Sequence, residues 1–436
     1  MLSQERKTWE SWQVYFMKNC EKNPIIVSGI GVTSSIGQGK NDFTNALLAG
    51  EHCFDVMKRP GRQYIPDLNN EEKAHLQATS FLGAEIPSLI MPDNIPKGLI
   101  RTASFSSQVA LATLNEAWND ANLNEIDTER VGLVVGGSNF QQRELIQTYQ
   151  AYQQRLAFVR PTYAMNYMDS DLCGLCSEIF SIKGFAYTLG GASASGQAAV
   201  IQAIQAVESG QVDVCIAMGA LMDLSYWECQ GFRAIGAMGS DRYANNPELA
   251  ARPFDDNRDG FIYGENCGVL VIEKAQMRRN KVTPYASLTG WAMGIDGNRN
   301  PNPSFEGEMN VIRKALRKAS LRPTDIDYIN PHGTGSTIGD ETELKAIQAC
   351  GISGARINTT KSIIGHGLSA AGAVEIIATL VQMQKAKLHP SRNLQNPIDD
   401  EFDWVKNKSV DHQMECALSM SMGFGGMNTA VCLQRI

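Results

Sequence analysis

The sequence predicts an α/β protein made of two duplicated halves, and three observations carry that prediction. Short apolar runs alternate with helical patterns along the whole chain, as expected for sheets covered by helices. The second part of the chain repeats the order of the first. Finally, 436 residues with 43% hydrophobic and 19% charged content are enough for one large core or two smaller ones.

The strand-like runs are IIVSGI (25–30), VGLVVGG (131–137), VDVCIAMG (212–219), GVLVIE (268–273), YASLTGW (285–291), IDYIN (326–330), CALSMSM (416–422) and TAVCLQ (429–434). The echo between the halves is specific. A helix ending WNDANLNEID leads into VGLVV, and a helix ending LRKASLRPTDID leads into YINP. SASGQAAVIQAIQAV from Ser193 then matches SAAGAVEIIATLVQM from Ser369. Three segments follow: an extension over 1–23, a first half over 24–280 and a second over 281–436, divided at the charged connection KAQMRRNKVTP. The small residues opening each SA-x-G helix predict that the two helices bury against one another at a pseudo-twofold, which would bring Ser193 near loops of the second half.

Composition excludes several classes. A net charge of −7 argues against nucleic acid as a partner, and no run of about 18 apolar residues offers a membrane span. The first residues lack the apolar block of a secretory leader, so a cytoplasmic location is expected. Ten cysteines then read as reduced, small apolar side chains. The only close pair, Cys173 and Cys176, has no second pair or matching histidines, so no metal site is expected.

The stretch YTLGGASASGQAAV (187–200) places small residues before a helix start, where outward-pointing amides hold an anion or a polarised carbonyl. Ser193 is the side chain placed to react. In the second half, NPHGTGSTIGDETEL (330–344) puts His332 in a glycine-rich loop after a strand, and NTTKSIIGHGLSAAGAVEII (358–377) puts Lys361 and His366 before a buried helix. Two of the six histidines thus fall on glycine-rich loops with a lysine between them.

These stretches, with ARPFDDNRDGFIYGENCG (251–268) and SMGFGGMN (421–428), resemble the β-ketoacyl-acyl carrier protein synthases (ketosynthases) of the thiolase superfamily, from about residue 24 to the end. The resemblance implies a thiolase-like fold, a five-layered αβαβα sandwich. It implies active-site roles for His332, His366 and Lys361, a gate at Phe424 beside Gly423, and substrate contact at Thr334. The family carries a cysteine in a pattern like A-C-A-S-G, whereas this chain reads A-S-A-S-G with Ser193 at the nucleophile position. Smaller departures are Ser419–Met422 ahead of the gate and Asn266 and Cys267 where the family tends to glycine and alanine.

Serine changes what the site can do. A helix N-terminus can lower a thiol of about 8.5 to roughly 3.5–7.5, giving a thiolate without a dedicated base, but an alcohol needs an oriented base. The two loop histidines are committed elsewhere, and His52, His75, His389 and His412 supply no candidate, so Ser193 is expected to be a poor acyl acceptor. Decarboxylation of a malonyl thioester needs no covalent step. It needs N–H donors on the enolate oxygen, each worth about 3 kcal/mol at the transition state. The combination resembles the free-standing decarboxylating ketosynthases of polyketide β-branching cassettes. Two alternatives stand: a non-catalytic partner like a chain-length factor, and a condensing enzyme using Ser193. Lys361 either holds the local charge and hydrogen-bond network or forms a structural ion pair with a carboxylate such as Glu343.

The resemblance further implies an acyl carrier protein as partner, whose phosphopantetheine arm brings the substrate, so no resident cofactor is expected. It also implies an HMG-CoA-synthase-like enzyme downstream and a homodimer built around residues 140–168. An acidic carrier calls for a locally basic docking surface, with candidates Lys58, Arg59 and Arg62 in MKRPGR and Lys97 and Arg101 in IPKGLIR. Trp9, Trp12 and Phe16, at helical spacing, predict a short N-terminal helix.

Overall fold

The computed structural model describes residues 23–66, 77–279 and 281–436, so the N-terminal helix expected around Trp9, Trp12 and Phe16 lies outside the described residues, as does His75. The first half contributes strands β1 (Ile25–Ser34), β2 (Val131–Gly136), β3 (Phe185–Leu189), β4 (Val214–Gly219) and β5 (Asn266–Lys274). The second contributes β6 (Ala286–Ile295), β7 (Tyr328–Asn330), β8 (Arg356–Ile357), β9 (Cys416–Gly423) and β10 (Met427–Gln434). All eight strands expected from the sequence are present. β3 and the two-residue β8 were not anticipated.

The duplication is visible in the pairing. The first sheet runs β3-β2-β4-β5-β1 and the second β8-β7-β9-β10-β6, with parallel and antiparallel neighbours in the same places. A short antiparallel contact, Ile26 with Ser287 and Val27 with Ala286, joins the sheets through β1 and β6. Strands such as β1, β2 and β4 are buried along their full length, which is why they read as unbroken apolar runs rather than alternating ones.

Six helices complete the layers. Helices α1 (Phe105–Asp120) and α2 (Ser170–Phe180) cover the outer face of the first sheet, and α4 (Phe305–Ala319) and α5 (Thr337–Ala349) that of the second. Between the sheets lie α3 (Ser195–Glu208) and α6 (Ala371–Lys385), which touch each other and strands of both halves. The result is the five-layered α/β sandwich expected. Both central helices are rich in alanine and glycine because they are enclosed on every side: α6 is buried from Ala371 through Met383. They cross at Gly196 and Gly372. A Cβ on Gly196 would meet the Ser369 carbonyl oxygen at 2.8 Å and the Ala373 nitrogen at 2.9 Å, and one on Gly372 would meet Gln197 at 2.7 Å. Backbone on both sides leaves no room for a side chain, so the SA-x-G pattern is a requirement of this crossing.

Each central helix is entered through a matching 3-10 turn, Ala192–Ala194 and Leu368–Ala370. The entry residues Ala192 and Leu368 both adopt left-handed φ, 47° and 50°. The crossing therefore sets two equivalent turns side by side, carrying Ser193 in one and Ser369 in the other.

Candidate active site

Ser193 opens onto a cavity of about 460 Å³ whose lining includes His332, His366, Thr334, Gly423 and Phe424. The structure thus gathers every residue expected at the substrate, apart from Lys361, around one space. Below Ser193 the turn is tied down by its neighbours. Ser195 Oγ accepts from Gly191 N (2.8 Å) and donates to the Ala192 carbonyl (2.7 Å), and Ser421 Oγ donates to the Ser193 carbonyl (3.1 Å). Gln197 Nε2 donates to Ser419 Oγ (3.0 Å). Ser419 and Ser421, two departures from the family pattern, therefore brace this helix start. Gly423 is required because a Cβ there would lie 2.1 Å from the Gly191 carbonyl oxygen.

The two histidines stand at right angles, with ring centroids 5.5 Å apart, and Phe261 meets the His366 ring edge-on at 5.1 Å. His366 is fixed by backbone pairing: its N–H donates to the Ile262 carbonyl (2.7 Å) and its own carbonyl accepts from Gly264 N (3.1 Å). The His332 loop is held by buried acids. Glu343 accepts from His332 N (2.5 Å) and Gly333 N (2.8 Å), and Asp340 Oδ1 accepts from Thr334 N (3.2 Å) and Gly335 N (3.1 Å). Burial, reinforced by the Lys361 charge, holds both imidazoles well below their ordinary range, with His366 adding to the effect on His332. Both rings are therefore neutral at pH 7 and each offers one N–H. Burial also pushes the Glu343 carboxyl up to about 8 and Asp340 to about 6.

Three expectations need correction. Lys361 does form a buried ion pair with a carboxylate, but the partner is Glu375 and not Glu343; its Nζ also donates to the His332 carbonyl, so it braces the loop from behind. Glu343 is unavailable because both its oxygens hold backbone amides. Ser193 is not without a histidine, since its Oγ lies 2.9 Å from His366 Nε2. Folding brings together two residues 173 apart that the sequence assigned to separate tasks. Arg62 is not at a surface: it is fully buried and bonds Asp223 (2.8 Å), Glu265 (2.6 Å) and the Leu224 carbonyl (2.6 Å). Arg59 is drawn into the same network through Glu265 (2.7 Å). Lys58, Lys97 and Arg101 are exposed.

Sequence reasoning missed Glu375, Phe261 and the cavity-lining Glu308. The first was detectable as the lone acid in AGAVEIIATLV, a helix otherwise apolar all round. Phe424, 41% exposed, stands at the cavity mouth with its ring 6.4 Å from Phe232. Cys173 and Cys176 are buried on α2, where Cys173 Sγ lies 3.1 Å from Thr188 Oγ1.

Comparison with known proteins agrees with this architecture. The β-ketoacyl synthase N-terminal domain profile matches residues 22–277 and the C-terminal domain profile residues 285–395. The chain is 61% identical, over 96% of its own length and 98% of the relative's, to the polyketide biosynthesis malonyl-ACP decarboxylase PksF of Bacillus subtilis. It is 31% identical, over 94% and 98%, to 3-oxoacyl-[acyl-carrier-protein] synthase 1 of Haemophilus influenzae. A β-ketoacyl synthase structure from Burkholderia phymatum superimposes with a TM-score of 0.83 at 24% identity, covering 95% of this chain and all of that one. Profiles spanning both halves and a near full-length relative at high identity lead to one assignment: the chain belongs to the β-ketoacyl synthase family.

Proposed function

We propose that this protein decarboxylates malonyl carried on an acyl carrier protein, releasing CO₂ and leaving an acetyl thioester on the same arm. The observation that carries the reading is the pairing of Ser193 with His366 in a pocket where both imidazoles are neutral. His366 Nδ1 is buried with no hydrogen-bond partner. A serine triad needs an acid on that nitrogen to hold the tautomer that presents a bare Nε2 to the hydroxyl. With nothing on Nδ1 to hold that tautomer, we assign the proton to Nε2, whose N–H then points at Ser193 Oγ and leaves the alcohol unactivated. When a malonyl thioester enters, the same N–H and that of His332 are available to its carbonyl oxygen. As the C–CO₂ bond breaks, charge gathers on that oxygen in a mostly apolar pocket, where prearranged donors are most effective. Lys361 and Glu343 act at one remove by fixing the His332 loop. The Bacillus subtilis relative is named for this activity.

A second reading has one observation in its favour: the 2.9 Å contact would let His366 take the proton of Ser193 and form an acyl-serine. The missing third group argues against it. Purified protein given malonyl-loaded carrier protein distinguishes them by the mass of the carrier arm. Acetyl-carrier without a serine adduct is expected, and His332→Ala and His366→Ala should each slow its formation by about 100-fold. No acetyl product, or acyl-Ser193 with a new C–C bond, would refute the reading.

The reading extends to partners. The carrier's phosphopantetheine arm delivers the substrate, so no resident cofactor is needed, and the exposed Lys58, Lys97 and Arg101 are the basic groups offered to an acidic carrier. A homodimer is favoured by the open edge of β3, which carries exposed Tyr187, and by the exposed apolar Tyr149, Leu156 and Phe158 within residues 140–168. The acetyl product fits polyketide β-branching, in which an HMG-CoA-synthase-like enzyme consumes it, and a cytoplasmic setting follows from those partners. Among the described residues no helix is long and apolar enough to cross a membrane.

A further inference from the structure

Decarboxylation consumes a proton. Loss of CO₂ from malonyl leaves an enolate whose carbon 2 must receive a hydrogen before acetyl exists. Neither histidine is placed to give it on that reading: each neutral ring has one N–H and turns it to the thioester oxygen, and Ser193 is an alcohol that no oriented base activates. The remaining titratable groups on the cavity wall are Asp296, Glu308, Asp340 and Glu343. Asp340 and Glu343 have both oxygens engaged by backbone amides. Asp296 accepts from Asn428 Nδ2 at 2.7 Å.

Glu308 differs. It sits in the first turn of α4, is 1% exposed, and lines the cavity while its Oε2 has no hydrogen-bond partner. No cation is paired with it among the described residues. Burial, reinforced by the neighbouring acids Glu343, Asp296 and Asp340, raises its pKa well above the ordinary carboxylate value. An unpaired acid in such a place keeps its proton at neutral pH. A neutral carboxyl with nothing to bond, on the wall of a reaction chamber, is a poor structural element and a ready donor.

We propose that Glu308 is a catalytic acid that protonates carbon 2 of the enolate, an inference that rests on the decarboxylase reading above. The step balances. The C2–C3 bond breaks and its electron pair enters the enolate as CO₂ leaves. The enolate pair then takes the Glu308 proton to form the new C–H bond. The Glu308 carboxylate recovers a proton from water through the cavity mouth, so one solvent proton is consumed per turnover.

The test is Glu308→Gln, which keeps size and removes the acid, assayed with malonyl-carrier in an equal mixture of H₂O and D₂O. The readouts are the rate of acetyl-carrier formation and the deuterium content of its methyl group. That content reports the proton donor whichever step is slow, so a merely structural residue would not move it. Expected are a rate loss of about 100-fold and a shifted deuterium content. A shifted content at unchanged rate also supports the role. An unchanged content overturns it, whether or not the rate falls. If the variant does not fold, Glu308→Met, which fills the same buried space with no polar atom, takes its place: a shifted content supports the role and an unchanged content overturns it. Wild type that makes no acetyl-carrier would instead defeat the decarboxylase reading, so the two failures are distinguishable.

Discussion

Ser193→Cys should restore the chemistry that serine withholds. The substituted sulfur would occupy the 3-10 turn that opens α3, next to the helix amides and close to His366 Nε2, which lies 2.9 Å from the present oxygen. A thiol so placed has a pKa of about 3.5–7.5, so at pH 7 between about a quarter and nearly all of it is thiolate. Cys53 is an internal reference, exposed yet raised above the ordinary thiol value by partial burial and by Glu51, which leaves at most a few per cent thiolate at pH 7. Alkylation by iodoacetamide, followed by peptide mass, should therefore mark the introduced thiol on the order of ten times faster than Cys53. Given an acyl-carrier donor and malonyl-carrier, the variant should also accumulate an acyl-enzyme and yield some β-ketoacyl product. An introduced thiol reacting no faster than Cys53 would show that the helix start and His366 do not activate this position, and that serine is not what blocks condensation.

Two further predictions concern packing and protons. Gly196→Ala should cost about 2 kcal/mol in denaturant unfolding, because its Cβ meets backbone at 2.8 Å and 2.9 Å, while Gly98→Ala, with open space around it, should be within about 0.5 kcal/mol of wild type. A Gly196→Ala protein as stable as wild type would contradict the crossing described above. His366, neutral in the fold, takes up no proton where the unfolded chain does, so its contribution to stability falls as pH drops below about 6.5. It amounts to about 1.4 kcal/mol lost by pH 5.5, whereas the raised Glu343 acts in the opposite sense as pH rises. His366→Asn should remove about that much of the acid sensitivity between pH 8 and 5.5 in paired unfolding curves, and identical pH slopes would count against a neutral buried imidazole.

What the sequence discloses follows from which physical features have a local signature. Fully buried strands such as β1 and β4 announce themselves as apolar runs, and the Gly196–Gly372 crossing as a repeated small-residue pattern. β3 escaped because FAYTL borders Gly184 on one side and Gly190 on the other, and as an edge strand it lacks a buried run. The histidines and Lys361 are legible as motifs, but their partners are not. Burial of Arg62, the choice of Glu375 over Glu343 and the meeting of Ser193 with His366 depend on contacts between distant segments. Glu308 reads in sequence as one of two acids opening an amphipathic helix, and only the packing of α4 reveals that it has lost its solvent.

Ser193 has a twin whose fate differs from its own. Ser369 occupies the corresponding turn of the other half, yet its hydroxyl donates to the Ala220 carbonyl at 2.8 Å and is sealed from solvent. One copy of a repeated element became the floor of a reaction chamber and the other a rivet under it. Loops of the half that carries the rivet supply His332 and His366 to the chamber of the other. Asymmetry of this kind lets later changes at one serine alter the reaction while the rivet keeps the frame unaltered.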